Sequence, residues 1–195
     1  MAGVLLAAGD GTRLGQPKAL VELGGQSLAA RGVALLRAGG ADPVVLVTGA
    51  APVDLPGIRV VPNPRWQEGM GSSFAAGLAA LPEECAAAVV ALADQPLVGA
   101  ESVRRLIAAF RAGAGVAVAA YAGRPRNPVL LARAHWPEAI ALAAGDVGAR
   151  PFLRAHPELV TLVECGDTGS PDDIDTPADL ERVTRLLGGR PDVPG

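Results

Sequence analysis

The run Leu6-Ala7-Ala8-Gly9-Asp10-Gly11-Thr12-Arg13-Leu14-Gly15-Gln16-Pro17-Lys18 combines small residues with two cations in a way that suits phosphate. With no bulky side chain at Ala7, Ala8, Gly9 or Gly11, backbone amides can approach a flat base and curl around phosphate oxygens. Arg13 and Lys18 can then neutralise the charge of a triphosphate. Lys18 is the one lysine among 17 basic residues, the rest being arginine. Arg is a rigid planar fork and Lys a compact point charge on a flexible stem, so the one position that is Lys suits a place among crowded phosphates, although the count alone does not establish it. The ordinary alternative is a flexible turn with two solvated cations. The run has neither the Gly-Lys-Ser/Thr ending of a P-loop nor the G-x-G-x-x-G spacing of a dinucleotide fold, so it supports neither an ATPase nor a dehydrogenase.

Two acidic segments form a second constellation. In Ala91-Leu92-Ala93-Asp94-Gln95-Pro96 an apolar run ends on a carboxylate. In Asp172-Asp173-Ile174-Asp175-Thr176-Pro177 three acids precede a helical pattern, and capping satisfies only one or two of them. Mg²⁺ prefers carboxylate and phosphate oxygens, so a cation facing Asp94 and Asp175 would relieve the repulsion and offset charge on a bound nucleotide. The ordinary alternatives are a turn aspartate at Asp94 and plain N-capping by Asp175 or Thr176. Between the two segments, Asn63 to Phe74 reads as a loop entering a helix, whose free amides and hydroxyls could hold a base or ribose edge. Trp66, Met70 and Phe74 read as packing. Arg124, Arg126 and Arg150 could bind an anion such as a phosphate, with solvated surface arginines as the alternative. His135 and His156 have no metal-ligand spacing and read as structural or exposed.

Such residues need a scaffold that delivers them to one place. Apolar runs predict strands over 3–7, 44–48, 58–61, 86–93, 115–120, 128–131 and 159–164. Helical periodicity predicts helices over 27–37, from a cap near Ser72 to 81, 101–112, 132–143, 149–156 and 178–187. This alternation predicts an α/β fold, a sheet covered by helices on both faces. The chain has 195 residues, 50% of them hydrophobic, and a net charge of −3. That length suits a single domain, taken as 1–188 with a frayed tail at 189–195, which buries roughly 70% of its unfolded surface. An aromatic content of 3% argues against a stacking platform for nucleic acid. Cys85 and Cys165 are too few for a disulfide framework or a thiolate cluster. No apolar run approaches the ~20 residues of a membrane helix. A soluble, cytoplasmic protein is the expectation, with neither nucleic acid nor membrane as partner.

The opening run resembles the L-A-A/G-G-x-x-x-R-x-G-x-x-K pattern of the MobA-like nucleotidyltransferases. Leu92-Ala93-Asp94-Gln95-Pro96 and Asp173-Ile174-Asp175-Thr176-Pro177 are similar to the family's two acidic motifs, closest to its molybdopterin cytidylyltransferase-like members. The resemblance spans residues 3 to about 187. It implies a Rossmann-like three-layer α/β/α sandwich with a mostly parallel sheet, of the nucleotide-diphospho-sugar transferase type. It also implies Mg²⁺ on Asp94 and Asp175, with Arg13, Lys18 and Asp94 catalytic. The W-x-x-G-M-x-x-S likeness adds Gly69, Gly71 and Ser73 to Ala7, Ala8, Gly9 and Gly11 as nucleotide contacts. Asn127 stands where the family's G-x-x-x-H-P-V segment has His, which alters the acceptor side formed with Arg124, Arg126 and Arg150. Ala8 is more like the cytidylyl-transferring members. The activity so implied is transfer of CMP from CTP, or of another NMP, to an anionic phosphorylated precursor such as molybdopterin, with pyrophosphate released. A cofactor-receiving molybdoenzyme or chaperone would be the protein partner. A guanylyltransferase, a sugar-phosphate nucleotidyltransferase and a non-catalytic nucleotide-binding regulator are the alternatives.

Overall fold

Buried apolar runs become strands wherever both of their faces are covered, and this chain supplies four of them. A computed structural model describes residues 1–188; the tail assigned to 189–195 lies outside the described residues. In chain order the elements are β1 (Ala2–Ala7), β2 (Glu22–Leu23), β3 (Gln26–Ser27), α1 (Leu28–Ala38), β4 (Val44–Thr48), β5 (Arg59–Pro62), α2 (Met70–Ala79) and β6 (Ala87–Leu92). There follow α3 (Ala100–Arg111), β7 (Val116–Tyr121), β8 (Arg124–Ala132), α4 (Trp136–Leu142), α5 (Arg150–Ala155), β9 (Val160–Glu164) and α6 (Pro177–Gly188). β1, β4 and β7 are buried along their whole length, and β6 along all but its last residue.

Seven strands form one sheet in the order β5-β4-β1-β6-β8-β7-β9, and β2 and β3 form a separate two-stranded hairpin. Within the seven-stranded sheet the pairings are parallel except those of β8, which runs against β6 and β7. One face carries α1, α3 and α6 through Leu28, Leu36, Leu106, Ile107 and Val183; the other carries α2, α4 and α5 through Phe74, Leu78, Trp136 and Phe152. Two buried layers on one sheet make the expected three-layer α/β/α sandwich.

The β2–β3 hairpin is not among the expected elements, and several ends shift by a residue or two; three of the starts that differ have a local reason. β8 begins at Arg124 rather than 128, because Ala122 and Gly123 with φ of 53° and 72° turn the chain straight back from β7. The helix expected over 132–143 starts only at Trp136: Ala132 and Arg133 are still held to neighbouring strands, donating to the Gly115 and Ala86 carbonyls at 2.8 Å each. α2 starts two residues before Ser72, whose hydroxyl instead bonds back to the Arg65 and Gly69 carbonyls at 2.8 and 2.9 Å.

Candidate active site

β1 and β6 lie side by side at the centre of the sheet, with β4 outside one and β8 outside the other. Chain connections diverge there, and the crevice beyond the carboxyl ends of such strands is where an open α/β sheet binds ligands. The end of β1 leads into the glycine loop, which folds back on itself as the Lys18 amide donates to the Gly9 carbonyl at 3.2 Å. Gly11 permits this turn: its φ is 60°, and a Cβ there would stand 2.0 Å from the Gln16 carbonyl oxygen. The end of β6 is pinned by the Ala93 amide on the Leu6 carbonyl at 3.0 Å.

These restraints bring together groups far apart in the chain. Lys18 Nζ donates to Asp94 Oδ2 at 2.7 Å and to Asp175 Oδ1 at 2.5 Å. Arg13 Nη2 lies 3.1 Å from Asp175 Oδ2. The acidic segment is fastened by the fully buried Ile174, whose amide donates to the Asp94 carbonyl at 2.8 Å. Asp175 is free to face Lys18 because Thr176 and Asp179 cap α6 instead: the Asp179 amide donates to Thr176 Oγ1, and the Thr176 amide to Asp179 Oδ2. This is a reciprocal capping box with Asp in the acidic position. Burial opposes the Lys18 ammonium, but the two carboxylates outweigh it and hold its pKa above the ordinary lysine value. Hydrogen bonding from Lys18 is the main reason that the Asp175 carboxyl titrates below the ordinary range.

Two adjoining cavities meet at Asp94. The smaller, of about 290 Å³, is lined by predicted residues Ala7, Ala8, Gly9, Lys18, Gly69, Ser73 and Asp94. The larger, of about 900 Å³, is lined by Arg126, Asn127 and Arg150 together with Asp94 and Asp175. Arg124 is exposed and Gly11 buried, and neither belongs to these linings. Gly71 does not line them either; a Cβ on it would come within 2.9 Å of the Ala143–Ala144 backbone, so its smallness serves packing. Gly69 serves both purposes, since at φ 104° its Cβ would fall 2.3 Å from the Gly145 carbonyl carbon.

Sequence reasoning missed Asn63, which is buried and donates from Nδ2 to the Ser72 and Ser73 hydroxyls at 2.8 and 3.0 Å, fixing Ser73 at the cavity wall. It also missed Asp146, which lines both cavities, and the bond from Gln95 Nε2 to Asp173 Oδ1 at 2.8 Å. An Asn at the end of β5 before a hydroxyl pair was the available signal for the first, and the likeness of Gly145-Asp146-Val147-Gly148-Ala149-Arg150 to the family's G-D-x-G-A-R segment, from which sequence reasoning drew only Arg150, was the signal for the second; the third arises only when distant loops meet.

The sequence profile of the MobA-like NTP transferase domain matches residues 3–160. The chain belongs to this family. Nicotine blue oxidoreductase of Paenarthrobacter nicotinovorans is 39% identical to it over 199 residues, covering 95% of each chain. The fold is similar to that of an Rv0371c homologue from Mycobacterium sp. strain JC1, with a TM-score of 0.82 and 31% identity over 96% of each chain. It is also similar to Rv0371c of Mycobacterium tuberculosis H37Rv, solved as a complex with manganese, with a TM-score of 0.77 and 27% identity over 94% of this chain and 97% of the other. Nucleotidyl transfer to a phosphorylated acceptor is the general chemistry that family and fold support. Among the described residues, no helix is long and apolar enough to cross a membrane.

Proposed function

We propose that this MobA-like transferase moves CMP from CTP to a phosphorylated cofactor precursor of the molybdopterin kind and releases pyrophosphate. The observation that carries this reading is the Lys18–Asp94–Asp175 cluster, with Arg13 beside it, at the junction of two cavities. One cavity accommodates a nucleotide against the glycine loop, the other an acceptor. An acceptor phosphate oxygen attacks the α-phosphorus while the bond to the β-phosphate breaks, and the electron pair leaves on pyrophosphate. Arg13 and Lys18 stabilise that departing charge, and the loop amides hold the phosphates in line. The CTP preference rests on Ala8, where guanylyl-transferring relatives tend to carry glycine.

The residues present fit a divalent cation. Asp94 Oδ1 is buried without a hydrogen-bond partner, and a cation already sits between the two carboxylates in the form of the Lys18 ammonium. Among the described residues no three His, Cys, Asp or Glu side chains are placed to hold a metal ion by themselves; Mg²⁺ typically uses one or two carboxylates plus substrate phosphates. Asp94 and Asp175 would hold it, and when bound it neutralises phosphate charge.

The Paenarthrobacter relative, named as an oxidoreductase, favours a second reading, in which the same cleft serves a redox reaction on an organic substrate. One experiment separates the two. CTP, GTP, ATP and UTP are each incubated with Mg²⁺ and molybdopterin or sugar-phosphate acceptors, and pyrophosphate release is followed. Oxidation of a reduced nicotinamide or flavin donor by an added quinone-type organic acceptor, which takes up the two electrons, is followed in parallel. Acceptor-dependent pyrophosphate from CTP is expected; donor oxidation without pyrophosphate from any NTP would replace the first reading by the second.

A further inference from the structure

We infer that the larger cavity is built for an amphipathic anion, an apolar body carrying an anionic group, rather than for a polyhydroxylated sugar phosphate. The register of the sheet supplies the argument. Val90 pairs with Val129, Val129 with Val118, and Val118 with Leu162. Paired residues share a face, so these four aliphatic side chains form one stripe across β6, β8, β7 and β9. At ~4.8 Å between strands the stripe is about 14 Å long. All four line the cavity. Burial falls along it, from Val90, Val118 and Val129 at 6% exposure or less to Leu162 at 50%. The first three are core already covered by their neighbours, and the stripe reaches the cavity surface at the half-exposed Leu162 of the edge strand, where the aliphatic wall open to a ligand begins. Leu153 of α5 and Val160 of β9 also line the cavity.

The charges are sorted. Four carboxylates line the cavity: Asp94, Asp173 and Asp175 lie where it meets Lys18, and Asp146 lies where it meets the smaller cavity. Arg126, from β8, and Arg150 and Arg154, from α5, also line it. None of these three makes an ion pair among the described residues, whereas Arg104, Arg105 and Arg182 do. Three unpaired guanidiniums on one cavity favour an anion. Neutral hydrogen-bonding side chains are scarce in the lining. Among its described residues there is no Ser, Thr or Tyr, and the amides are Gln95 and Asn127. Gln95 Nε2 is already bound to the Pro171 carbonyl and to Asp173. Sugar hydroxyls desolvated against Leu153, Val160 and Leu162 would find no neutral hydroxyl or amide partner on those side chains, which is costly. An aromatic or aliphatic body would bury itself there with no such loss.

The inference rests on the transfer reading only in treating the bound molecule as the acceptor, and its test is one of binding. Calorimetry compares 1-naphthyl phosphate with glycerol 3-phosphate on wild type and on Leu162→Asp, with CTP titrated separately and folding checked by circular dichroism. Since Leu162 is half exposed on an edge strand, the variant should fold. Wild type is expected to bind naphthyl phosphate about tenfold or more tightly than glycerol phosphate, as burial of an aromatic ring implies. Leu162→Asp should shrink that preference to about threefold or less, because it places a carboxylate against the ring. In Arg150→Gln, both phosphates should weaken together. Equal affinity of the two probes for wild type, or an unchanged preference in a folded Leu162→Asp, would overturn the inference. Loss of CTP binding in wild type with the naphthyl preference intact would instead sink the transfer reading and leave this one standing.

Discussion

Lys18 holds together two carboxylates that would otherwise repel, and it is the group best placed to meet a leaving phosphate. The two roles can be separated. If Lys18 meets charge that develops in the transition state, Lys18→Met should lower turnover about 10²-fold or more, measured as initial pyrophosphate release at saturating CTP. A loss of less than about threefold would return Lys18 to a purely structural role. The structural role has its own pH signature. The Lys18 pKa is raised above 10.5, so its contribution is complete below that value and is lost as pH rises through the higher folded value. Asp175 is lowered below 3.8, so its contribution is complete above that value and is lost as pH falls through the lower folded one. The stability difference between wild type and Lys18→Met should therefore be flat from about pH 5 to about pH 9.5 and shrink outside that window. Urea melts across the range would show it, and a difference that changed between pH 6 and 8 would implicate another group. Lys18, Asp94 and Asp175 were legible because their residue types are informative in themselves. Asn63 was not, since an asparagine after a strand has many uses and its bonds to the Ser72 and Ser73 hydroxyls, at 2.8 and 3.0 Å, exist only in the fold.

At the scale of elements, the site depends on how helices and strands end. Thr176 and Asp179 satisfy the free amides at the start of α6, which releases Asp175 from capping. Thr176→Ala should cost about 1 kcal/mol of global stability and should also loosen Asp175. Turnover is expected to fall by more than the stability loss explains at a temperature where the variant is fully folded; unaltered turnover there would mean that Ile174 alone fixes the segment. α4 and α5 are joined differently. His156 Nε2 lies 2.8 Å from Glu138 Oε1, and its Nδ1 lies 3.3 Å from Glu158 Oε1. Hydrogen bonding to Glu138 is the chief cause of a pKa raised above 6.5. The tie is complete below pH 6.5 and is lost as pH rises through the higher folded value. Amide exchange in α4 and α5, corrected for intrinsic rates, should speed up as pH rises from 5.5 to about 8.5; in His156→Gln that added change should vanish, and its persistence would exclude His156 as the cause. Elements with one dominant signal were legible: β1, β6 and β7 are apolar throughout and β4 is apolar up to Thr48, and Ser27 caps α1 by accepting from the Ala30 amide at 3.2 Å. The first half of β8 was not, because Arg124 to Asn127 is a polar run placed in the sheet by a tight turn rather than by its own pattern.

Across the whole molecule the decisive feature is the antiparallel β8 inserted between β6 and β7. Reversed, it brings its first residues, Arg126 and Asn127, to the edge where the other strands finish, so the acceptor side meets the nucleotide side. An alternation of apolar runs and helical periods shows layers, but strand order and direction depend on pairings between distant segments, and those are absent from local pattern. This arrangement makes binding a property of the entire fold. The smaller cavity draws its walls from the ends of β1 and β6, from the segment before α2 and from the loop before α5, so a ligand there joins both halves of the sheet. A ligand at 100 times its Kd that binds only the folded state adds about 2.7 kcal/mol. For a chain of this size each kcal/mol raises Tm by roughly 2–4 °C, so saturating CTP with Mg²⁺ should raise Tm by about 5–11 °C in one cooperative transition. Removing the cation with a chelator should take away part of that gain in wild type but little of it in Asp94→Asn, which has already lost a charge the cation would meet. Calorimetric scans of the two proteins with and without chelator read this directly. A shift equal in both, unaffected by the chelator, would separate nucleotide binding from Asp94 and remove the cation from the site.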